Sequence, residues 1–301
     1  MLIASIPSPH SGIVNLGPLH IHLYGLTLLV AILAAVWLTT YRWKRMGGDP
    51  DLVVRVAVWG VAFGVVGARA YHDITSWPEV PSPKWKGIFE VWQGGLGVWG
   101  GILLGTLAGW VVVRRAGERF APFLDATASG LLLAQGIGRI GNWWNQELFG
   151  KPTSLPWGLK IDIDNRPPQY VDNTTFHPTF LYELLWDVAG VLLLLWVARR
   201  FRIRAPGLFC LYVAYYCFGR FFEELLRIDP SHHFAGLRLN AWVSIVCFVV
   251  ATVAFVWVQR RGRDLAPRRP RRQAPPPPPR KVKPREIPQG PKMAIPRGRV
   301  R

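Results

Sequence analysis

The chain has 301 residues; half are apolar, 13% are aromatic and only 18% are charged, yet the formal charge is +18. An average soluble chain is about 25% charged, so an acidic solvating protein is excluded, and three cysteines are too few for a disulfide scaffold. So basic a chain suggests a nucleic-acid partner, but 15 Trp and 15 Phe set in long apolar runs argue against one, and no nucleic acid is expected.

Seven stretches are long enough to span a bilayer, which takes about 20 helical residues. In chain order they are 19–40, 53–72, 95–113, 121–139, 179–198, 207–226 and 240–258. The first lacks a basic leader and a small-residue cleavage site, so it reads as a span rather than a signal peptide. The fourth is the weakest, being interrupted by Asp125 and Gly130. Gly60, Gly64 and Gly67 sit at the small-residue spacing that lets helices pack closely in lipid. Residues 73–94 and 140–178 are long loops rich in Trp, Pro, Gly and Asn, and loops of that length are often functional.

The charge is unevenly spread. Residues 259–301 carry 15 of the 36 basic residues and contribute +13, with 11 of the 26 prolines. Such a segment builds no core and is expected to be a disordered basic tail. The fold class expected is therefore an all-α integral membrane protein of seven transmembrane helices over 1–258, followed by the 259–301 tail. Arg42, Lys44, Arg45, Arg55, Arg114, Arg115, Arg119, Arg199, Arg200, Arg202, Arg204 and the tail all fall on one side. Excess basic residues mark the cytoplasm, which places the N-terminus outside and the C-terminus inside.

Ionisable residues in or beside spans are costly and point to function. On this topology they converge at the outer leaflet: Tyr24, Arg69, Arg139, Asn142, Asn145, Glu147, Tyr182, Glu183, Arg220, Glu224 and Arg227. Guanidinium forks bind phosphate oxygens bidentately and stay charged when partly buried, so several arginines at headgroup depth suggest a phosphate site. Tyr216, Arg220, Glu224 and Arg227 recur at spacings of four and three and share a helix face. The competing expectation is an ion-pair network that only packs helices.

Four blocks carry a resemblance. The run Gly138-Arg139-Ile140-Gly141-Asn142-Trp143-Trp144-Asn145-Gln146-Glu147-Leu148-Phe149-Gly150 resembles the G-R-x-G-N-[aromatic]-x-N-x-E-x-x-G signature of the prolipoprotein diacylglyceryl transferase family. His22-Leu23-Tyr24-Gly25, His177-Pro178-Thr179-Phe180-Leu181-Tyr182-Glu183 and the Tyr216 to Arg227 pattern match further blocks in the same order. The resemblance covers residues 10–260. It implies transfer of the diacylglyceryl group of phosphatidylglycerol to the lipobox cysteine thiol of a preprolipoprotein, releasing glycerol 1-phosphate in a bacterial cell membrane. No metal or organic cofactor is implied. One departure stands out. Where the family often has an acid and a histidine before the third span, this chain has Gln93 and Trp99, so a histidine base there is not carried over.

On that reading the substrate supplies the nucleophile. Arg139 and Arg220 are assigned to the lipid phosphate as preorganised positive charge. Asn142 and Asn145 hydrogen-bond the headgroup, Glu147 orients an arginine or accepts the thiol proton, and Gly150 allows close backbone approach. Tyr24, Tyr182 and Tyr216 offer hydroxyls at headgroup depth, and Glu183 and Glu224 hold the guanidiniums. A thiol of pKa near 8.5 is a few per cent thiolate at neutral pH; if a base is needed, the candidates are Glu147, His177, His232 and His233. The alternative is a transporter for an anionic lipid or small anion, which predicts ionisable groups through the full membrane depth. Asp125 is read as suiting the dipole at its own helix start.

Overall fold

The computed structural model describes residues 5–17 and 19–261, so residues 262–301, most of the expected tail, lie outside the described residues. Seven long helices carry the described chain: α1 (Leu23–Arg45), α2 (Pro50–Thr75), α4 (Val98–Arg115), α5 (Phe120–Trp144), α6 (Thr179–Arg200), α7 (Gly207–Leu226) and α8 (Leu239–Arg261). A single turn, α3 (Lys84–Gly87), lies in the α2–α4 connection. Five of them, α1, α2, α5, α6 and α8, are long and apolar enough to cross a membrane. Of the other two, α4 has 18 residues and ends in Arg114 and Arg115, while α7 carries Arg220, Glu223 and Glu224 in its last two turns.

The fold is all-helical as expected, with short antiparallel ladders outside the helices among the described residues: β1 (Ile13–Leu16) with β2 (Leu19–His22), β3 (Leu159–Lys160) with β4 (Thr175–Phe176), and β5 (His233–Phe234) with β6 (Leu237–Arg238). One sequence expectation needs correction. The loop expected from residue 140 begins only after Trp144, because α5 runs on through the first residues of the signature. The apolar pattern ends near Arg139, but helical backbone bonds are satisfied internally and continue past the last apolar residue.

The α5 helix is the centre of the bundle, packed against α1, α6 and α7. Its N-terminal half is fixed by two buried polar contacts. Arg42 of α1 donates to the Ser129 hydroxyl at 2.8 Å. The Asp125 carboxylate accepts from the backbone N–H of Phe209 at 2.8 Å. Asp125 thus caps α7, whose own N-cap is Pro206 with no capping side chain, rather than serving the start of its own helix. Nearby, the fully buried Trp43 packs edge-on against Phe123 at 5.2 Å.

The α2 and α4 helices form a second pair in backbone contact. A Cβ built on Gly67 would stand 2.3 Å from the Gly100 carbonyl oxygen, and one on Gly100 would stand 2.1 Å from that of Gly67. At this crossing only glycine fits. The α2 start is built for its place, with the Asp49 carboxylate accepting from the Asp51 N–H and Pro50 in the first turn.

Candidate functional site

The site forms where the C-terminal end of α5 meets α6 and α7. Its centre is Glu183, in the first two turns of α6 and nearly fully buried. One carboxylate oxygen takes the Arg139 guanidinium at 2.6 Å; the other takes Arg220 at 3.2 Å. The Tyr216 hydroxyl donates to the first of these oxygens at 3.2 Å and accepts from Arg139 at 3.4 Å. Two arginines from different helices are thus tied to one carboxylate. Arg220 also pairs with Glu223 at 2.9 Å and Glu224 at 2.8 Å, its neighbours one helical turn on.

From there the chain of charges continues. Glu224, with no exposed surface, holds Arg238 at 2.6 Å. Arg238 pairs with Asp229 at 2.9 Å, and Asp229 pairs with Arg227 at 2.7 Å. Burial pushes the Asp229 carboxyl up, but the hydrogen bond and charge of Arg227, and then Arg238, hold it below the usual carboxylate range. Arg227 therefore clamps the exit of α7 and has its own acid.

In the other direction, Arg139 donates weakly to the Asn142 side chain at 3.5 Å, and Asn142 donates to Glu147 at 2.9 Å. Asn145 reaches the same Glu147 oxygen at 3.5 Å. Gln146 and Leu148 have positive φ, of 51° and 58°, so the chain folds back on the helix end and carries Glu147 to Asn142. This conformation is costly for residues with a side chain. The buried Gln146 holds it by donating to the Pro9 carbonyl at 2.8 Å and to Asp162 at 2.7 Å, while accepting from the Asp162 N–H at 2.7 Å. That contact, followed by His10, keeps the Asp162 carboxyl below its ordinary value.

The structure thus brings together Arg139, Asn142, Asn145, Glu147, Glu183, Tyr216, Arg220 and Glu224. Tyr24 of α1 lies in electrostatic reach of Glu147 and Arg139. Its ring rests on Gly141, where a Cβ would come within 2.7 Å of it. Other expected residues sit at the edge. The Gly150 N–H donates to the His177 carbonyl at 3.0 Å, and a Cβ on Gly150 would stand 3.2 Å from the Leu226 carbonyl. Its close approach is therefore to His177, at 2.9 Å, and to the end of α7. The Tyr182 hydroxyl meets His177 at 3.2 Å and accepts from Trp157 at 3.0 Å rather than meeting an arginine. Burial and then the charge of Lys151 lower the His177 pKa, which favours the neutral ring. His232 and His233 are exposed, beside and in β5.

Arg69 departs from the expected cluster. It pairs with Asp73 at 3.1 Å and donates to the carbonyls of Gly87, Ile88, Gly94 and Gly95. Its charge is spent holding the α2–α4 connection. Trp99, at the histidine position, is half exposed in the first turn of α4.

Three buried residues of the region were not picked out from sequence: Glu223, Arg238 and Asp187. Asp187 lies one turn along α6 from Glu183, is fully buried, and has no hydrogen-bond partner for either oxygen among the described residues. A cavity of about 320 Å³ opens between α6 and α7, lined by Glu183, Glu223, Trp186 and Phe222. Among the described residues no group of three or more His, Cys, Asp or Glu is placed to hold a metal ion.

The whole arrangement lies inside a region with known relatives. The profile of the prolipoprotein diacylglyceryl transferase family matches residues 11–257. A phosphatidylglycerol–prolipoprotein diacylglyceryl transferase of Cutibacterium acnes is 49% identical over 259 residues, 85% of this chain and 88% of the relative. One from Bifidobacterium adolescentis is 44% identical over 279 residues, 88% of this chain and 83% of the relative. Transferase 2 of Streptomyces coelicolor is 46% identical over 258 residues, 85% and 81%. With the signature on α5 and the matched region spanning all seven long helices, the chain belongs to the prolipoprotein diacylglyceryl transferase family.

Proposed function

We propose that the Arg139–Glu183–Arg220 arrangement grips the phosphate of phosphatidylglycerol while its diacylglyceryl group passes to a prolipoprotein cysteine. The activity is that of the family: a phosphatidylglycerol–prolipoprotein diacylglyceryl transferase. The observation that carries the site assignment is the shared carboxylate. Glu183 fixes two guanidiniums from two helices on one group. A guanidinium has five N–H donors; Arg220 directs three contacts to Glu183, Glu223 and Glu224 and Arg139 three to Glu183, Tyr216 and Asn142, so each keeps donors for a phosphate oxygen.

The lipobox thiol of the signal peptide attacks the glycerol carbon. A C–S bond forms, the C–O bond to phosphate breaks, and the electron pair leaves on the phosphate of glycerol 1-phosphate. The thiol proton passes to Glu147 or to the leaving phosphate. Arg139 and Arg220 stabilise the charge that grows on the departing oxygen. Glu147, held by Asn142 and Asn145, and Tyr24 complete the catalytic set. Gly150, His177, Tyr182, Tyr216 and Glu224 shape the headgroup site. No cofactor enters the reaction.

Seven membrane-crossing helices fit this reading, with the N-terminus outside, the site in the outer leaflet and residues 259–301 in the cytoplasm of a bacterial plasma membrane. The positive-inside pattern supports this orientation. The protein works in the lipid bilayer on phosphatidylglycerol and preprolipoprotein, with no nucleic-acid partner.

The test is transfer to a lipobox peptide in detergent by Arg139→Ala and Arg220→Ala, alongside complementation of a transferase-depleted strain. Losing one donor to a developing oxyanion costs about 10²–10³ in rate, so both variants should fall by at least about a hundredfold. Near-normal turnover by a folded variant removes that arginine from the mechanism.

A further inference from the structure

An apolar groove of the bundle lies far from this site. It is a cavity of about 640 Å³ between α2 and α4. One wall is a stripe on α2, Arg55, Trp59, Phe63 and Val66, at spacings of four, four and three. The other wall runs along α4 from Leu104 to Arg115. The glycine contact of the two helices explains the shape. Backbones that close on Gly67 and Gly100 leave large side chains splayed outside the seam. Trp59, Phe63, Val66 and Leu107 are about half exposed, facing the surroundings of the bundle.

Two features define what fits. Each wall covers twelve residues, eleven helical steps or about 16 Å at 1.5 Å per residue. That matches one leaflet of hydrocarbon, half of about 30 Å. Both arginines stand at the same end, because Arg55 is in the first turns of α2 and Arg115 closes the antiparallel α4. Arg55 makes a loose ion pair, 3.6 Å to Asp49, with both side chains more than half exposed, so this contact does little to hold its guanidinium away from a lipid phosphate. Only four residues separate Arg115 from the start of α5, and Arg139 lies nineteen residues further along that helix, about 28 Å away. The mouth of the groove and the transfer site therefore stand at opposite ends of the bundle.

We propose that this groove binds one anionic phospholipid of the leaflet opposite the transfer site, its phosphate between Arg55 and Arg115 and an acyl chain along Trp59, Phe63 and Leu107. The volume is that of a specific small-molecule site. The bound lipid fills the outer face of a helix pair whose crossing is closed by glycine backbone. The proposal is independent of the transfer chemistry.

The experiment uses the full-length protein in mixed micelles and a phosphatidylglycerol carrying a diazirine on one acyl chain, with adducts mapped by peptide mass spectrometry. Adducts are expected on the Trp59–Val66 and Leu104–Val112 segments. Excess unlabelled phosphatidylglycerol should compete and phosphatidylcholine should not. Two basic residues at an anionic lipid strengthen binding by roughly tenfold or more, so the double variant Arg55→Gln, Arg115→Gln should lose labelling by about that factor. Arg55→Lys, Arg115→Lys keeps the charge, should retain most labelling, and controls for insertion and fold. Adducts absent from both segments, equal competition by phosphatidylcholine, or labelling unchanged in the Gln pair would mean ordinary annular lipid and overturn the proposal. If the Gln pair is not recovered folded, head-group competition on the wild-type protein decides.

Discussion

Glu183 is the residue on which the site depends most. Replacing it with Ala removes the acceptor for two buried guanidiniums at once, and breaking a buried pair by deleting one partner costs about 3–5 kcal/mol. Glu183→Ala should therefore lower the melting temperature in detergent as well as transfer, whereas Glu183→Gln should keep more of the fold than of the activity. An equal loss of both in the Gln variant would make the residue structural only. Asp187 predicts the opposite balance. A buried acid without a donor costs free energy, so Asp187→Asn should leave the melting point unchanged or raised; a clear fall would reveal a partner beyond the described residues. Asp229 gives a pH dependence. Its folded pKa is depressed by Arg227 and Arg238, so its contribution is present above the unfolded value, near pH 4, and lost as pH falls below it. Asp229→Asn should flatten the acid limb of the stability profile in that window, and an unaltered limb would show that other groups set it. Arg139, Arg220, Glu183 and Glu224 could be read from sequence because charges in or beside apolar spans stand out. Glu223 and Asp187 obey the same rule but fall outside the fixed positions of the motif blocks.

At the scale of elements, the long helices were legible from their apolar runs, five of them long and apolar enough to cross a membrane, while their ends and connections were not. The α5 helix outruns its apolar stretch, since polarity marks where hydrocarbon ends rather than where a helix ends. The two-residue ladders β3–β4 and β5–β6 carry no pattern of their own and depend on their surroundings. The Asp125 cap on α7 joins residues 84 apart in sequence, a contact that no local signal announces. The glycines of α2 were legible as close-packing residues, and the structure identifies Gly67 as the tightest of them on that helix. Gly67→Val places side-chain carbon on the Gly100 carbonyl. It should separate α2 from α4 and cut the yield of folded protein severely, by a steric mechanism of the kind behind the largest single-residue losses. Gly60→Ala, whose Cβ would meet the Gly105 carbonyl oxygen at an ordinary 3.7 Å, should be tolerated. Equal tolerance at both positions would mean that the pair is not held by this crossing.

For the whole molecule, the +18 charge divides by location. Residues 259–301 contribute +13 of it, and further basic residues close the last turns of α1, α4 and α6; in the proposed topology all of these face the cytoplasm. The remainder to which the proposed mechanism assigns chemistry is small and neutralised: Arg139 and Arg220 are matched by Glu183, Glu223 and Glu224. In that mechanism the matching supplies the preorganisation that electrostatic catalysis requires. Truncation after Gln259 should leave transfer by the inserted protein within about twofold of the full chain, since none of the site residues lies beyond it. The most direct measurement is kcat/KM for Arg139→Lys and Arg220→Lys, with phosphatidylglycerol and a lipobox peptide in detergent, at temperatures where each variant is folded. Lysine keeps the charge and its pairing with Glu183 but loses the bidentate fork. Both variants should retain the fold and lose turnover by about tenfold or more. Wild-type kcat/KM in both lysine variants would contradict the claim that paired guanidiniums grip the phosphate.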